Sequence, residues 1–218
     1  MDSLKQNNNI VIAVDGTSAS GKGVLSRFIA NEYEFHYLDT GLIYRAVAKN
    51  ILNSGISLND EEAVTKIAQN IMLSDLDKKQ LSFHVIANAA SQIASFSSVR
   101  NALINIQRSF SHKNPGAILD GRDIGTIVCP NANIKFYVTA SLEVRAWRRY
   151  NEMVSNGEKA DYKNVFEDLR KRDNQDKNRK YCPLIRDKDA FFFDTSNMNI
   201  STMCKVAKGF VDTKLYSR

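Results

Sequence analysis

Ile10 to Val14 are apolar and mostly β-branched, and the run passes through Asp15 into Gly16-Thr17-Ser18-Ala19-Ser20-Gly21-Lys22. No other stretch restricts the fold so tightly. A short unbroken apolar run suits a strand buried on both faces of a parallel sheet. Behind the glycine loop, Val24, Leu25, Phe28 and Ile29 recur at helical spacing between Gly23 and Asn31. Strand, glycine loop and helix form the setting of a phosphate-binding loop. There, successive backbone N–H groups converge on an anion and the helix dipole adds positive potential. Gly16 and Gly21 permit backbone angles and close approaches that a Cβ would block, and Lys22 brings a mobile charge to the β- and γ-phosphates. Gly16, Thr17, Ser18, Ala19, Ser20, Gly21, Lys22, Gly23 and Val24 are therefore the candidate nucleotide ligands. The Ser or Thr that usually follows the lysine as a Mg²⁺ ligand is absent, since Gly23 and Val24 stand there. Mg²⁺ is expected to be held by phosphate oxygens and water, with no protein metal ligand assigned.

The composition of the 218 residues, 43% hydrophobic and 25% charged, is that of an ordinary globular chain. One core domain spanning 1–218, with insertions, is expected. No apolar run approaches the ~20 residues of a membrane span, and the polar first nine residues carry no signal-like segment and read as a frayed leader. Cys129, Cys182 and Cys204 are odd in number and have no metal spacing, so they read as reduced thiols of a cytoplasmic protein. His36, His84 and His112 are scattered and read as surface or internally satisfied side chains. The net charge of +6 suits nucleic acid and a clamp for polyphosphates equally.

Strands are expected at Ile10–Val14, Phe35–Leu38, Ala117–Asp120, Ile134–Val138 and Phe191–Asp194. The apolar stripe of Leu42, Ile43, Ala46, Val47 and Ile51 predicts a helix. Others are expected from Asn59 to about Met72, His84–Ala94, Val99–Phe110, Ser141 to about Asn156, Tyr162 to about Arg179, and Ile200 to about Leu215. Ser97 or Ser98 is a candidate cap, and Ser74–Lys79 reads as a turn. This alternation predicts an α/β fold with a five-stranded parallel sheet. The core is expected to comprise 10–41, 114–147 and 183–218. The helical stretch of about 42–113 is too long for a simple crossover and reads as an inserted substrate-binding subdomain; about 148–182 reads as a lid.

Four further clusters carry chemistry-bearing side chains. Asp39-Thr40-Gly41-Leu42-Ile43-Tyr44-Arg45 leaves the carboxyl end of a strand, where open α/β sheets bind ligands, so Arg45 is expected to share a crevice with Lys22. Asn88-Ala89-Ala90-Ser91-Gln92 with Arg100 is weak by itself. Leu119-Asp120-Gly121-Arg122-Asp123-Ile124-Gly125-Thr126 leaves another buried strand, with Asp120 placed like a Walker-B carboxylate. Arg172, Asp176 and Arg179 fall on one helix face. Between Arg145 and Lys180 there are 11 basic side chains against 7 acidic ones, a net +4 of the chain's +6. An ion-paired solvated helix is one explanation and a phosphate clamp the other.

Taken together and in order, G-T-S-A-S-G-K-G, L-D-T-G-x-I-Y-R, A-N-A-A-S-Q, D-G-R-D-I-G-T and R-D-x-x-D-x-x-R resemble the bacterial-type cytidylate kinases from about Ile10 onward. The resemblance implies a three-layer P-loop fold with a nucleotide-binding insertion and a short lid. It also implies ATP with Mg²⁺ as phosphoryl donor and CMP or dCMP as acceptor. Lys22, Arg122, Arg172 and Arg179 would serve the transfer, and Arg45, Arg122 and Arg179 would bind the monophosphate, with Thr40 and Tyr44 beside them. Ser91, Arg100 and Asp123 would read cytosine, and Asp176 would hold the ribose. A monomer acting on small molecules, without nucleic acid or membrane, is the working expectation. The chain departs from the family at Val24 and at Leu73–Ile86, which is shorter than the strand-rich segment usually found there. A P-loop kinase of another acceptor, such as a different monophosphate or a shikimate-like metabolite, is the alternative. A GTP-dependent switch would need the N/T-K-x-D motif, which is missing, and a nucleic-acid binder using the basic segment, the last-ranked reading, would show a steep salt dependence.

Overall fold

A computed structural model describes residues 9–216; the expected leader lies outside the described residues apart from Asn9. Strands β1 (Ile10–Gly16), β2 (His36–Asp39), β3 (Gly116–Gly121), β4 (Ile134–Thr139) and β5 (Phe191–Asp194) form one five-stranded sheet ordered β2-β3-β1-β4-β5. The pairs β1–β3, β1–β4 and β4–β5 are parallel, with Val14 opposite Asp120 and Gly16 opposite Val138. The helices are α1 (Lys22–Tyr33), α2 (Thr40–Asn53), α3 (Glu61–Gln69), α4 (Lys78–Leu81), α5 (His84–Ile93), α6 (Ser97–Ser111), α7 (Leu142–Ser155), α8 (Tyr162–Asn178) and α9 (Ile200–Tyr216). Among the described residues, no helix is long and apolar enough to cross a membrane. Cys129, Cys182 and Cys204 form no disulfide among the described residues.

The chain divides into two compact units. The first comprises residues up to Leu38, Arg108–Ser141 and residues from Ile185 onward. Its core lies between one sheet face, with Ile12, Val14, Ile118, Phe136, Val138 and Phe193, and Leu25 and Ile29 of α1 with Met203, Ala207 and Val211 of α9. Strand alternation therefore turns Ala13, Asp15, Lys135 and Tyr137 to the opposite face. Lys135, the odd member of an apolar strand, is 3.0 Å from Asp187. The N–H of Asp189, with that contact, holds the Asp187 carboxyl below its ordinary range.

The second unit joins Asp39–Gln107 to Leu142–Leu184. In it α2 packs against α3, α4 and α5, and α7 packs against α8. Three details differ from the sequence reading. Helix α3 stops at Gln69, because Asn70 folds back onto Ile67 and Lys66 and buries Ile71 in a tighter turn. The stretch read as a turn holds a 3₁₀ turn at Leu73–Asp75 and the short α4, whose start is capped by Asp77 accepting from the Lys79 N–H. Ser98 lies within α6 and its hydroxyl engages Glu61 and Thr65.

Arg145 of α7 and Asp173 of α8 are both buried and meet through two N–H···O contacts of 3.2 and 2.5 Å. Removing one charge of a buried pair strands the other, whereas replacing both with apolar groups can be neutral. Asp173→Asn is thus expected to lower unfolding free energy by about 3–5 kcal/mol. The double change Arg145→Met with Asp173→Leu should recover most of that loss. Urea unfolding of the three chains provides the comparison.

Candidate functional site

At the end of β1 the backbone turns sharply. Gly16 has φ +146°, and a Cβ there would sit 1.8 Å from the Val138 carbonyl oxygen. Ala19 (φ 59°) and Gly21 (φ 95°) lie in the left-handed region, and Gly21 contributes no side-chain cap to α1. The loop thus delivers backbone donors to the helix N-terminus without covering them with its own side chains. Lys22 is 6% exposed and donates to the Thr17 carbonyl at 2.8 Å. Thr195, just past β5, donates its hydroxyl to the Ser20 carbonyl at 2.8 Å and its N–H to Thr139. The buried Thr17 and Ser20 hydroxyls find no acceptor or donor among the described protein atoms. Buried polar groups in native interiors almost always find a partner in protein, ordered water or a bound ion, and phosphate oxygens fit the donors offered here. Ser18, Gly23 and Val24 complete the loop as expected, half-buried at its rim.

Two carboxylates flank the loop on opposite sheet faces. Asp120, 6% exposed at the end of β3, accepts from the Tyr37 hydroxyl at 2.6 Å. Asp15, 5% exposed, accepts from the N–H groups of Ile124 (2.8 Å) and Gly125 (2.7 Å). Those donors open a π-type turn, Ile124–Val128, directly after the Arg122-Asp123 pair. Asp15 therefore ties the strand feeding the phosphate loop to the loop bearing Arg122 and Asp123. Asp123 is itself buried, and Arg122, half-buried, donates to the Gly121 carbonyl at 3.2 Å. Burial, helped by the charge of Asp123, raises the Asp15 pKa to about 6 against the opposing pull of the two N–H groups and Lys22.

The remaining sequence-chosen residues belong to the second unit. Thr40 and Tyr44 are buried in the first turns of α2, and Arg45 donates to the Leu81 carbonyl of α4 at 3.1 Å. Arg100 of α6 is 6% exposed; its guanidinium lies 5.4 Å from the Tyr44 ring centroid and donates to the Ala94 carbonyl. Ser91 of α5 engages Gln175 of α8 both ways, its hydroxyl donating at 3.4 Å and its carbonyl accepting at 2.9 Å. Helix α8 ends at Asn178, and Arg179 is its C-terminal cap residue. From there it is 3.4 Å from buried Asp176 and donates to the Cys182 carbonyl at 2.8 Å. Arg172 is half-buried near the end of α8. A cavity of about 620 Å³ opens in this unit between Glu61 and Phe96 on one side and Gln175, Arg179 and Tyr181 on the other.

Sequence reasoning passed over Asp15, Tyr37, Gln175 and Thr195. Only Asp15 left a trace, as an acid on a strand otherwise apolar throughout. His84, read as satisfied, is so: it meets Asp168 at 3.1 Å and Asn88 at 3.0 Å.

The family described as Cytidylate kinase matches residues 12–211. A cytidylate kinase of Sinorhizobium medicae is 52% identical over 95% of this chain and 98% of its own length. One from Rhizobium meliloti is 53% identical over 94% of this chain and 97% of its own. A solved structure of an uncharacterized protein from Eubacterium ventriosum shares the fold, with a TM-score of 0.57 at 13% identity, covering 96% of this chain and all of that one.

A carboxyl whose folded pKa lies above its unfolded value stabilises the fold fully below the unfolded pKa, and that stabilisation is lost as pH rises through the folded value. For Asp15, at about 6 against 3.8, the loss is about 2 kcal/mol between pH 4 and pH 6.5. Asp15→Asn cannot titrate and offers one acceptor for two N–H groups. The stability of wild type relative to this variant should therefore fall by that amount across the window. Urea midpoints of both proteins at half-unit pH steps test it.

Proposed function

The chain belongs to the cytidylate kinase family, and from that premise we propose that it transfers the γ-phosphoryl group of ATP to CMP or dCMP, giving ADP and CDP or dCDP. The observation carrying this reading is a phosphate loop whose buried Lys22 and two unpaired hydroxyls, Thr17 and Ser20, stand ready for an anion, in a chain matched by the family over residues 12–211. The triphosphate would lie along Gly16–Val24, with the loop N–H groups and Lys22 on its β- and γ-oxygens. Among the described residues no cluster of His, Cys, Asp and Glu could hold a metal alone. Asp120 beside the loop nevertheless fits a Mg²⁺ ion held largely by phosphate and water. When bound, that ion neutralises charge between the β- and γ-phosphates.

The acceptor needs no activation. Its phosphate has a second pKa near 6, so the attacking oxygen is already largely anionic at neutral pH. The difficulty is bringing two anions together. Arg45, Arg122 and Arg179 would bind the acceptor phosphate, with Thr40 and Tyr44 beside it, and Arg172 and Lys22 would join them in stabilising charge on the moving phosphoryl group. The Asp176 contact pre-orients Arg179, so less rotamer freedom is lost on binding. Asp176 would also accept from the ribose, and Ser91, Arg100 and Asp123 would read the base. In this reading residues 42–113 carry the acceptor and 148–182 act as a lid excluding water. The absence of disulfides among Cys129, Cys182 and Cys204 suits a reducing compartment such as the cytoplasm.

A coupled ADP-release assay across CMP, dCMP, UMP, AMP, GMP and shikimate tests the reading, and CMP and dCMP should stand out. Lys22→Ala should lower kcat by at least about 10²-fold with little loss of stability; near-wild-type turnover would remove Lys22 from the mechanism.

Base choice has its own test. Cytosine presents an amino donor where uracil presents an oxygen, so a carboxylate accepts from the first and repels the second. Asp123→Asn, whose amide can turn to donate, should narrow the ratio of kcat/KM for CMP over UMP about tenfold or more. An unchanged ratio would sink Asp123 as base reader.

A further inference from the structure

The position at which a phosphate loop ordinarily supplies a hydroxyl to the metal is Gly23 here, and Val24 supplies none. The structure shows what occupies that neighbourhood. A Cβ built on Gly23 would lie 3.4 Å from the Tyr37 hydroxyl oxygen, 3.7 Å from Asp120 Oδ2 and 3.2 Å from Arg27 Nη1. Tyr37 comes from β2, which neighbours β3 in the sheet, and its O–H donates to Asp120 Oδ2 at 2.6 Å. A polar side chain from outside the loop thus stands where the loop itself is bare. The half-buried phenol adds an oxygen beside a buried carboxylate and close to the first turn of α1.

We propose that the Tyr37 hydroxyl takes the place of the missing loop hydroxyl, holding through water the Mg²⁺ that accompanies the nucleoside triphosphate. This rests on the reading of the chain as an ATP-dependent kinase. Mg²⁺ binds tightly to its waters and usually keeps several of them. A metal-bound water is a strong donor and seeks acceptors. A phenolic oxygen whose own proton is committed to a carboxylate is an acceptor toward any further partner. Tyr37 and Asp120 together present one phenolic and one carboxylate oxygen to such a water shell, at the end of the sheet from which the phosphate loop leaves. Glycine at 23 is the accommodation: a serine there would place its side chain against the Tyr37 oxygen and the Arg27 guanidinium. Tyr37 is a positioning residue in this account, acting on the ion through water and not on the transferred group.

The measurement is ATP affinity by titration calorimetry, once with Mg²⁺ and once with EDTA, without acceptor and without turnover. The quantity read is the ratio of the two affinities. Partners in the outer shell of a metal typically contribute 10–100-fold to its affinity. Tyr37→Phe should therefore reduce the wild-type ratio about tenfold while leaving the EDTA affinity unchanged. Gly23→Ser combined with Tyr37→Phe removes the phenol, opens its space and returns a hydroxyl to the loop, and should recover most of the ratio. A role in merely packing would lower both affinities alike or neither; either result in Tyr37→Phe overturns the proposal. So does a lost ratio that Gly23→Ser fails to restore. If Tyr37→Phe alone does not fold, the double variant decides: a wild-type ratio supports the proposal and a collapsed one overturns it. A wild-type chain that binds no ATP would instead bring down the kinase reading on which the inference stands.

Discussion

Gly16 sits where two demands on the backbone meet. Parallel pairing of β1 with β4 continues to the register Gly16 opposite Val138, and there the chain must leave the sheet at φ +146° with the Val138 carbonyl 1.8 Å from any Cβ. Only a residue without a side chain satisfies both. Because pairing persists to the turn, the loop starts from a fixed point in the sheet instead of a frayed strand end. Thr195 then pins Ser20 from the β5 side, and Lys22 closes back on Thr17. The loop is held at its start, middle and end, and the buried hydroxyls of Thr17 and Ser20 have no partner among the described protein atoms. Such preorganisation is what makes electrostatic stabilisation effective, since no dipoles need to turn as charge moves.

Strand alternation divides the work between two acids. Asp120 shares the face of Ile118, toward α1, and Asp15 shares the face of Ala13, away from it. The same residue type meets different chemistry as a result. Asp120 meets a phenol beside Gly23. Asp15 meets two backbone N–H groups, and burial raises its pKa to about 6. A buried carboxylate with two main-chain donors is a structural knot, and it lies at the root of the turn after Arg122 and Asp123. Loops that present charged side chains gain precision from such anchoring, because a small displacement of a binding group costs heavily in rate.

The order of strands and helices was legible because the strands are short, mostly apolar runs and most of the long helices carry apolar residues at helical spacing. Elements driven by local capping were less so: α4 depends on Asp77, and the end of α3 on one asparagine. The phosphate loop was legible as a contiguous motif with its own mechanics. Tyr37, Gln175 and Thr195 were not, since each acts on a partner more than 80 residues away in sequence. No local pattern records such a pairing. Arg179 stands just past the last helical residue, at the cap, and still reaches Asp176, the neighbour that helical spacing gives it.

The basic segment 145–180 also resolves into two populations that its count of charges could not separate. Arg145 meets Asp173, Arg149 meets Glu152, Arg170 meets Glu167 and Arg179 meets Asp176. Each such pair is neutral, so the net +4 survives them all. The lysines at 159, 163, 171, 177 and 180 are all exposed. A well-hydrated ammonium acts as a point charge, and its field is screened within about 8–10 Å at physiological salt. The planar guanidinium of Arg179 is oriented by a carboxylate and a carbonyl, an arrangement suited to directional phosphate contact. Ion-paired helix and phosphate clamp are therefore not rival descriptions of this segment: the pairs set the arginines in place, and the lysines leave the surrounding field positive.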